Sequence, residues 1–207
     1  SRKPLAAIRA EAAAGGPVRG FPLKGSITVQ STSAWEDFTS PQVVGVLPGA
    51  DPRLAGEHIV LMGHLDHLGV KKDARPGEDA IYNGALDNAS GIATMLEAAR
   101  AFANSGKPPR RSVMFVANTG EEKGLLGADY FAASPTVPAD RIVGLVNLDM
   151  PLLLYDFRDV IAFGAEHSTI ARTVADAASS IGVAVTPDPM PEQSLFVRSD
   201  HYAFVKQ

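Results

Sequence analysis

Three apolar runs in this chain each stop on side chains that bind metals or move protons. IVLMGHLDH closes on His64 and Asp66, SVMFVANTGEE on Glu121 and Glu122, and IVGLVNLDM on Asp149. Near-continuous apolar runs, separated by stretches of helical periodicity, read as parallel strands covered on both faces. Parallel strands bring their carboxyl ends to one edge of the sheet, where open α/β sheets hold their ligands. The pattern therefore constrains both the fold and the place of the chemistry. It predicts a three-layer α/β/α sandwich around a mixed, centrally parallel sheet.

The remaining elements agree with that architecture. Pro4 to Ala14 suits a short Ala-rich helix stopped by Gly15, Gly16 and Pro17, SITVQSTS (Ser26 to Ser33) alternates like an edge strand, and Gln42 to Leu47 is a further short strand. Strands are expected over His58 to Met62, Ser112 to Ala117, Arg141 to Leu148 and Val160 to Phe163. Helices are expected from about Ser90 to Asn104, Leu125 to Ala133 and Ser168 to Ile181. In the first of these, Ile92, Met95, Leu96, Ala99 and Phe102 fall at helical spacing. The Gly- and Pro-containing stretch from Gly69 to Gly84 is too long for a simple connector and is a candidate pocket wall.

Composition narrows the chemistry. A net charge of −4, with Lys and Arg scattered, argues against a chain built to grip nucleic acid or an anionic membrane. With no cysteine, any metal site must be made from His, Asp, Glu and water. No apolar run approaches the ~20 residues that span a bilayer.

Each candidate side chain is ordinary alone. His64 and Asp66 form an H-x-D pair of the type in which a carboxylate steadies a ligand imidazole. Asp87, in GALDNASG, opens a helix, where an acid also complements the helix dipole. Glu121 and Glu122 are adjacent like charges at the end of an apolar strand, where they repel unless a cation lies between them. Asp149 ends another apolar run, where an unpaired acid is costly to bury. His201 and Asp200 stand in RSDHYAF near the last residues. His67, three residues from His64, is a competing imidazole that reads first as a pocket-wall residue. Tyr82, Asn83, Met150 and Phe196 read first as packing or loop residues.

Jointly, the order His, Asp, Glu-Glu, Asp, His resembles the co-catalytic di-zinc aminopeptidases, a family whose members often carry an inserted protease-associated domain. The strings that carry the resemblance are GHLDHLG, GALDNASG, NTGEEKGLLG, NLDM and SDHYAF, which together span most of His58 to Phe204. The resemblance implies two zinc ions, with cobalt or manganese able to share such a site. It implies that His64 and Asp149 hold one ion, that Glu122 and His201 hold the other, and that Asp87 bridges both. Asp66 would orient His64 and Glu121 would be the general base. A cis peptide after Asp87, peptide substrates with a free N-terminus, and a periplasmic or extracellular location are further implications.

On the same resemblance, residues 1–40 are the tail of an inserted domain or an N-terminal extension. Residues 41–207 are then a metallopeptidase core that stops short of the family's C-terminal strand and helix. Three other readings compete: a deacylase or carboxypeptidase-type di-zinc amidohydrolase, a glutaminyl cyclase-like transferase, and a receptor-like domain without activity. The first normally places a lid domain between the fourth and fifth ligands, and the roughly fifty residues between Asp149 and His201 are too few for one. The complete set of candidate ligands disfavours the third.

Overall fold

The structure is a computed structural model that describes every residue except 1, 2, 16, 23 and 153. The chain divides into two compact units, Ser1–Phe38 and Thr39–Gln207. The first contains helix α1 (Leu5–Ala13), which buries none of its residues. That helix matches the expected one, although its stop at Gly16 falls outside the described residues. The expected strand over Ser26 to Ser33 does not form: the segment joins no sheet, and Ile27 and Val29 are 84% and 82% exposed. Alternation marks two faces of a strand, but a strand persists only where a partner satisfies its backbone.

The second unit is built on a four-stranded sheet of β1 (Val43–Leu47), β2 (His58–His64), β5 (Ser112–Asn118) and β6 (Ile142–Asn147) in the order β1-β5-β2-β6. β2 lies parallel to both β5 and β6, while β1 runs antiparallel to β5 at one edge. β3 (Gly69–Val70) and β4 (Ile81–Tyr82) form a small antiparallel hairpin within the Gly69 to Gly84 stretch.

Alternating side chains sort the central strands into two apolar faces. Val60, Met62, Met114 and Val116 point to one side and pack on Ala128, Phe131 and Ala132 of α3 (Leu126–Ala133) and Ala203 of α5 (His201–Val205). The other side carries Phe115, which meets Phe102 of α2 (Gly91–Asn104) edge to face. Helices therefore cover both faces, as the apolar runs require. On α2, Met95 is buried but Leu96 is 60% exposed, because residues 92, 95, 99 and 102 keep one stripe from which position 96 rotates away.

The expected strand Val160 to Phe163 shrinks to β7 (Asp159–Val160), paired with β8 (Ala184–Val185) beside α4 (Ile170–Ser180) in a separate two-stranded sheet. Beyond it the chain turns at Gly164, whose φ is +82° and where a Cβ would lie 2.1 Å from the Phe196 ring.

Candidate metal centre

Parallel register sets the edge. His64 pairs with Asn118, and Met62 with Asn147, so β2, β5 and β6 end nearly level. His64 is then the last residue of β2, Glu121 and Glu122 lie in the turn after β5, and Asp149 lies just past β6. Asp87 comes to the same edge from the turn Ala85–Ser90 that leads into α2, with a non-helical backbone and a cis peptide to Asn88.

These side chains form two groups joined by one residue. His64, Asp87 and Asp149 offer ligand atoms that all lie within 4.8 Å of one another, and so do His67, Asp87 and Glu122. Asp87 divides its oxygens between them: Oδ1 is 3.2 Å from His64 Nε2, and Oδ2 is 3.8 Å from His67 Nδ1. His64 Nε2 is also 3.5 Å from Asp149 Oδ1, and His67 Nδ1 is 2.5 Å from Glu122 Oε1.

The donor atoms suit a cation better than they suit each other. His64 Nε2, His67 Nδ1 and Glu122 Oε1 are all buried, and none has an aligned hydrogen-bond partner despite the short separations. Buried polar atoms are nearly always hydrogen-bonded, so several orphans converging on two points fit ligands to a cation. Imidazole nitrogens with carboxylate oxygens are a donor set that zinc accepts.

A layer of contacts from distant parts of the chain holds this set. The Asn88 side chain donates from Nδ2 to the Leu148 carbonyl at 2.9 Å, and its Oδ1 accepts from Gly91 N at 3.0 Å and Met150 N at 3.1 Å. One buried amide thus ties the start of α2 to the exit of β6, which brings Asp87 to Asp149. Gly91 is needed for this, since a Cβ there would fall 2.2 Å from the Leu148 oxygen. Ser199 Oγ donates to Asp149 Oδ2 at 2.5 Å and accepts from Asn147 Nδ2 at 2.7 Å. None of these three polar residues was singled out from the sequence, although Asn88, Asn147 and Ser199 lie inside the motifs DNASG, NLDM and SDH.

Two expected roles take a different form. Asp66 does meet His64, but through its backbone carbonyl, 2.9 Å from Nδ1, while its carboxylate Oδ1 is 3.9 Å away. The structure does not pair His201 with Glu122; its ring lies 5.3 Å from that of Phe196, and its Nε2 is, like His64 Nε2 and His67 Nδ1, a buried nitrogen without a hydrogen-bond partner. The imidazole beside Glu122 belongs to His67, whose ring also packs edge-on against Tyr82.

Charge crowding is visible in the proton affinities. Burial works against a charge on His64, but the Asp149 carboxylate and the Asp66 carbonyl outweigh it and raise the ring to about 9. Burial lifts Glu121 to about 7; His64 pulls against the rise, while Asp200, Asp149 and Glu122 add to it. Asp200, wholly buried, is pushed up to about 6, mainly by loss of water. Burial also raises Asp87, with Glu122 adding to it. Asp149 goes the other way: its burial is outweighed by contacts with His64 and Ser199.

Comparison with known proteins bears on the fold and the family. A probable zinc metalloprotease of Pyrenophora tritici-repentis is 43% identical over 67 residues, covering 32% of this chain and 15% of that protein. Among solved structures, a zinc aminopeptidase from Bacillus subtilis superposes with a TM-score of 0.59 at 22% identity, over 80% of this chain and 37% of that one. Glutaminyl cyclase from Bacteroides thetaiotaomicron gives 0.57 at 19% identity, over 80% and 60%. At such identities the superpositions speak for the fold, which hosts both chemistries. This chain spans less than two thirds of the length of each of the three. Residues 42–207, which contain the sheet and every member of the two groups, match Peptidase family M28, and the chain belongs to that family.

Proposed function

We propose that the protein is a zinc-dependent aminopeptidase that releases N-terminal residues from peptides. The observation that carries this reading is the sharing of Asp87: one carboxylate faces both groups, one oxygen to each. A single-ion transferase has no use for a second set of donors. In this reading His64, Asp149 and Asp87 hold one zinc. For the second the structure offers Asp87, Glu122 and His67, whereas the sequence resemblance assigns its imidazole to His201. Two bound zinc ions would acidify a water molecule and polarise the scissile carbonyl.

The chain's own side chains do the rest. Glu121 lies in the turn beside Glu122 and outside both groups, so its carboxylate is free to accept the proton of the attacking water and return it to the departing amine. In the metal-free chain burial raises Glu121 to about 7, and bound cations would favour its ionised, proton-accepting form. The Asp66 carbonyl and Ser199 hydroxyl orient His64 and Asp149. Excess negative charge at the site suits a free α-amine on the substrate. A periplasmic or extracellular location goes with the family resemblance, and among the described residues no helix is long and apolar enough to cross a membrane. The test is hydrolysis of aminoacyl-p-nitroanilides by the full-length protein, lost on chelation and restored by zinc. Release of ammonia from N-terminal glutaminyl peptides, with one zinc per chain, would instead identify a cyclase.

A further inference from the structure

The β3–β4 hairpin carries apolar side chains that residues 39–207 leave largely exposed. Its ladder is only two residues long on each strand and is extended by Lys71 N donating to the Ala80 carbonyl at 2.8 Å. Polar contacts stiffen the tip: Lys71 Nζ pairs with Glu78 Oε1 at 2.5 Å, Arg75 N donates to Glu78 Oε2 at 3.0 Å, and Ile81 N donates to Asp79 Oδ1 at 2.9 Å. Yet Val70 is 67% exposed and Ile81 59%, with Tyr82 and Leu65 nearly half exposed.

Those four side chains line one cavity of about 280 Å³. Its other walls come from the candidate metal centre: Asp66 and His67 after β2, and Asn88 and Ala89 after Asp87. His67 is the link, because the ring that faces the cavity also meets Tyr82 edge-on and Glu122 at 2.5 Å. The volume lies just below the ~300 to 1,000 Å³ typical of pockets for whole small molecules. One large side chain fits it.

We infer that this hairpin pocket is a specificity subsite that takes a bulky apolar side chain of the peptide substrate, from a residue flanking the scissile bond. The inference rests on the peptidase reading for its ligand and on the cavity for its place. Apolar walls give the subsite its selectivity, since burying a Leu or Phe side chain against them gains what a glycine cannot.

Two measurements on the full-length protein test it. With chelated protein, in which no hydrolysis occurs, titration by glycyl-leucine, leucyl-glycine and glycyl-glycine is followed in amide NMR spectra. Saturable shifts at Val70, Ile81 and Tyr82 are expected with one of the leucyl peptides and not with glycyl-glycine, and the responding peptide tells which side of the bond the pocket serves. Absence of such shifts overturns the inference whether or not the protein is a peptidase. With zinc-loaded protein, the double variant V70S/I81S should lower kcat/KM for bulky apolar peptides by roughly 10- to 100-fold, leave glycyl and alanyl peptides unchanged, and keep wild-type zinc content. Active protein with an unchanged apolar-to-small ratio in that variant sinks this inference alone. Inactive wild-type protein that still shows the hairpin shifts sinks the aminopeptidase reading instead.

Discussion

Glu122 Oε1 lies 2.5 Å from His67 Nδ1, and the two atoms are not aligned to share a proton. Asp87 Oδ2 is 3.8 Å from the same nitrogen. Three donor atoms from three separate segments thus converge on one point, a partner group to the one formed around His64. The arrangement makes His67 the nearest imidazole for a second ion, although the order of residues along the chain favours His201.

Metal stoichiometry separates the two histidines. If two zinc ions bind, His67→Ala should reduce the content from two per chain to about one, while His201→Ala should leave it near two. Elemental analysis after dialysis reads this directly. The opposite pattern would return the second imidazole to His201 and leave His67 as a pocket wall.

The adjacent glutamates should differ in kind. Glu121→Gln is expected to keep the bound zinc and lower kcat by ~10² to 10⁴-fold, the usual weight of general acid-base catalysis. Glu122→Gln is expected to lose zinc first and activity in consequence. Retention of full zinc by Glu122→Gln together with its loss from Glu121→Gln would reverse the two assignments.

Asn88 should matter more to stability than its neighbours suggest. Its side chain is 2% exposed and satisfies the Leu148 carbonyl and the amides of Gly91 and Met150. Asn88→Ala strands three backbone groups, each costing about 1 to 3 kcal/mol if it stays buried and unpaired. A clear fall in Tm is expected, with weaker zinc binding, because the same amide brings Asp87 to Asp149. An unchanged Tm would mean that water replaces the amide.

The strand ends were readable because burial of a parallel strand demands a long apolar run, and a His or Asp closing such a run stands out. Thus His64, Glu121, Glu122 and Asp149 could be placed on one edge before any coordinates. The supporting contacts were not readable, because they join residues far apart in sequence: Asn88 to Leu148 spans 60 positions and Ser199 to Asp149 spans 50. The sequence ranks His201 above His67 as a ligand, on resemblance and not on geometry, for a related reason. Spacing tells which strand end carries a ring, and only the folded turn after β2 tells which way it faces. The segment Ser26 to Ser33 shows the converse failure, an alternating pattern without a partner strand.

The last prediction concerns pH and the metal-free protein. Asp200 rises from 3.8 to about 6 on folding, Glu121 from 4.5 to about 7, and His64 from 6.5 to about 9. In each case the folded chain holds its proton more tightly than the unfolded chain, so stability falls as pH rises through the interval between the two values. For the carboxyls this is a growing penalty for burying charge; for His64 it is the loss of an attraction to Asp149. Asp149 and His201 run the other way: the lowered value of Asp149 adds stability above about pH 4, and burial of His201, which lowers its proton affinity, favours the folded chain as pH rises. Chelated protein should therefore have its highest Tm in mild acid and lose it progressively towards pH 9. Zinc should oppose the trend, because its ligand His64 must be neutral to bind and its positive charge offsets the cost of nearby buried carboxylates such as Glu121. The Tm gain on adding zinc should thus widen from pH 5 to pH 8. Asp200→Asn isolates one contribution: it should flatten the chelated curve between pH 4 and 6 and raise the Tm of chelated protein at pH 7, since it removes the charge that burial penalises. Thermal unfolding with chelator and with zinc, across that range, measures both effects, and a chelated protein that grows more stable from pH 5 to 8 would contradict the crowding of charge described at this edge of the sheet.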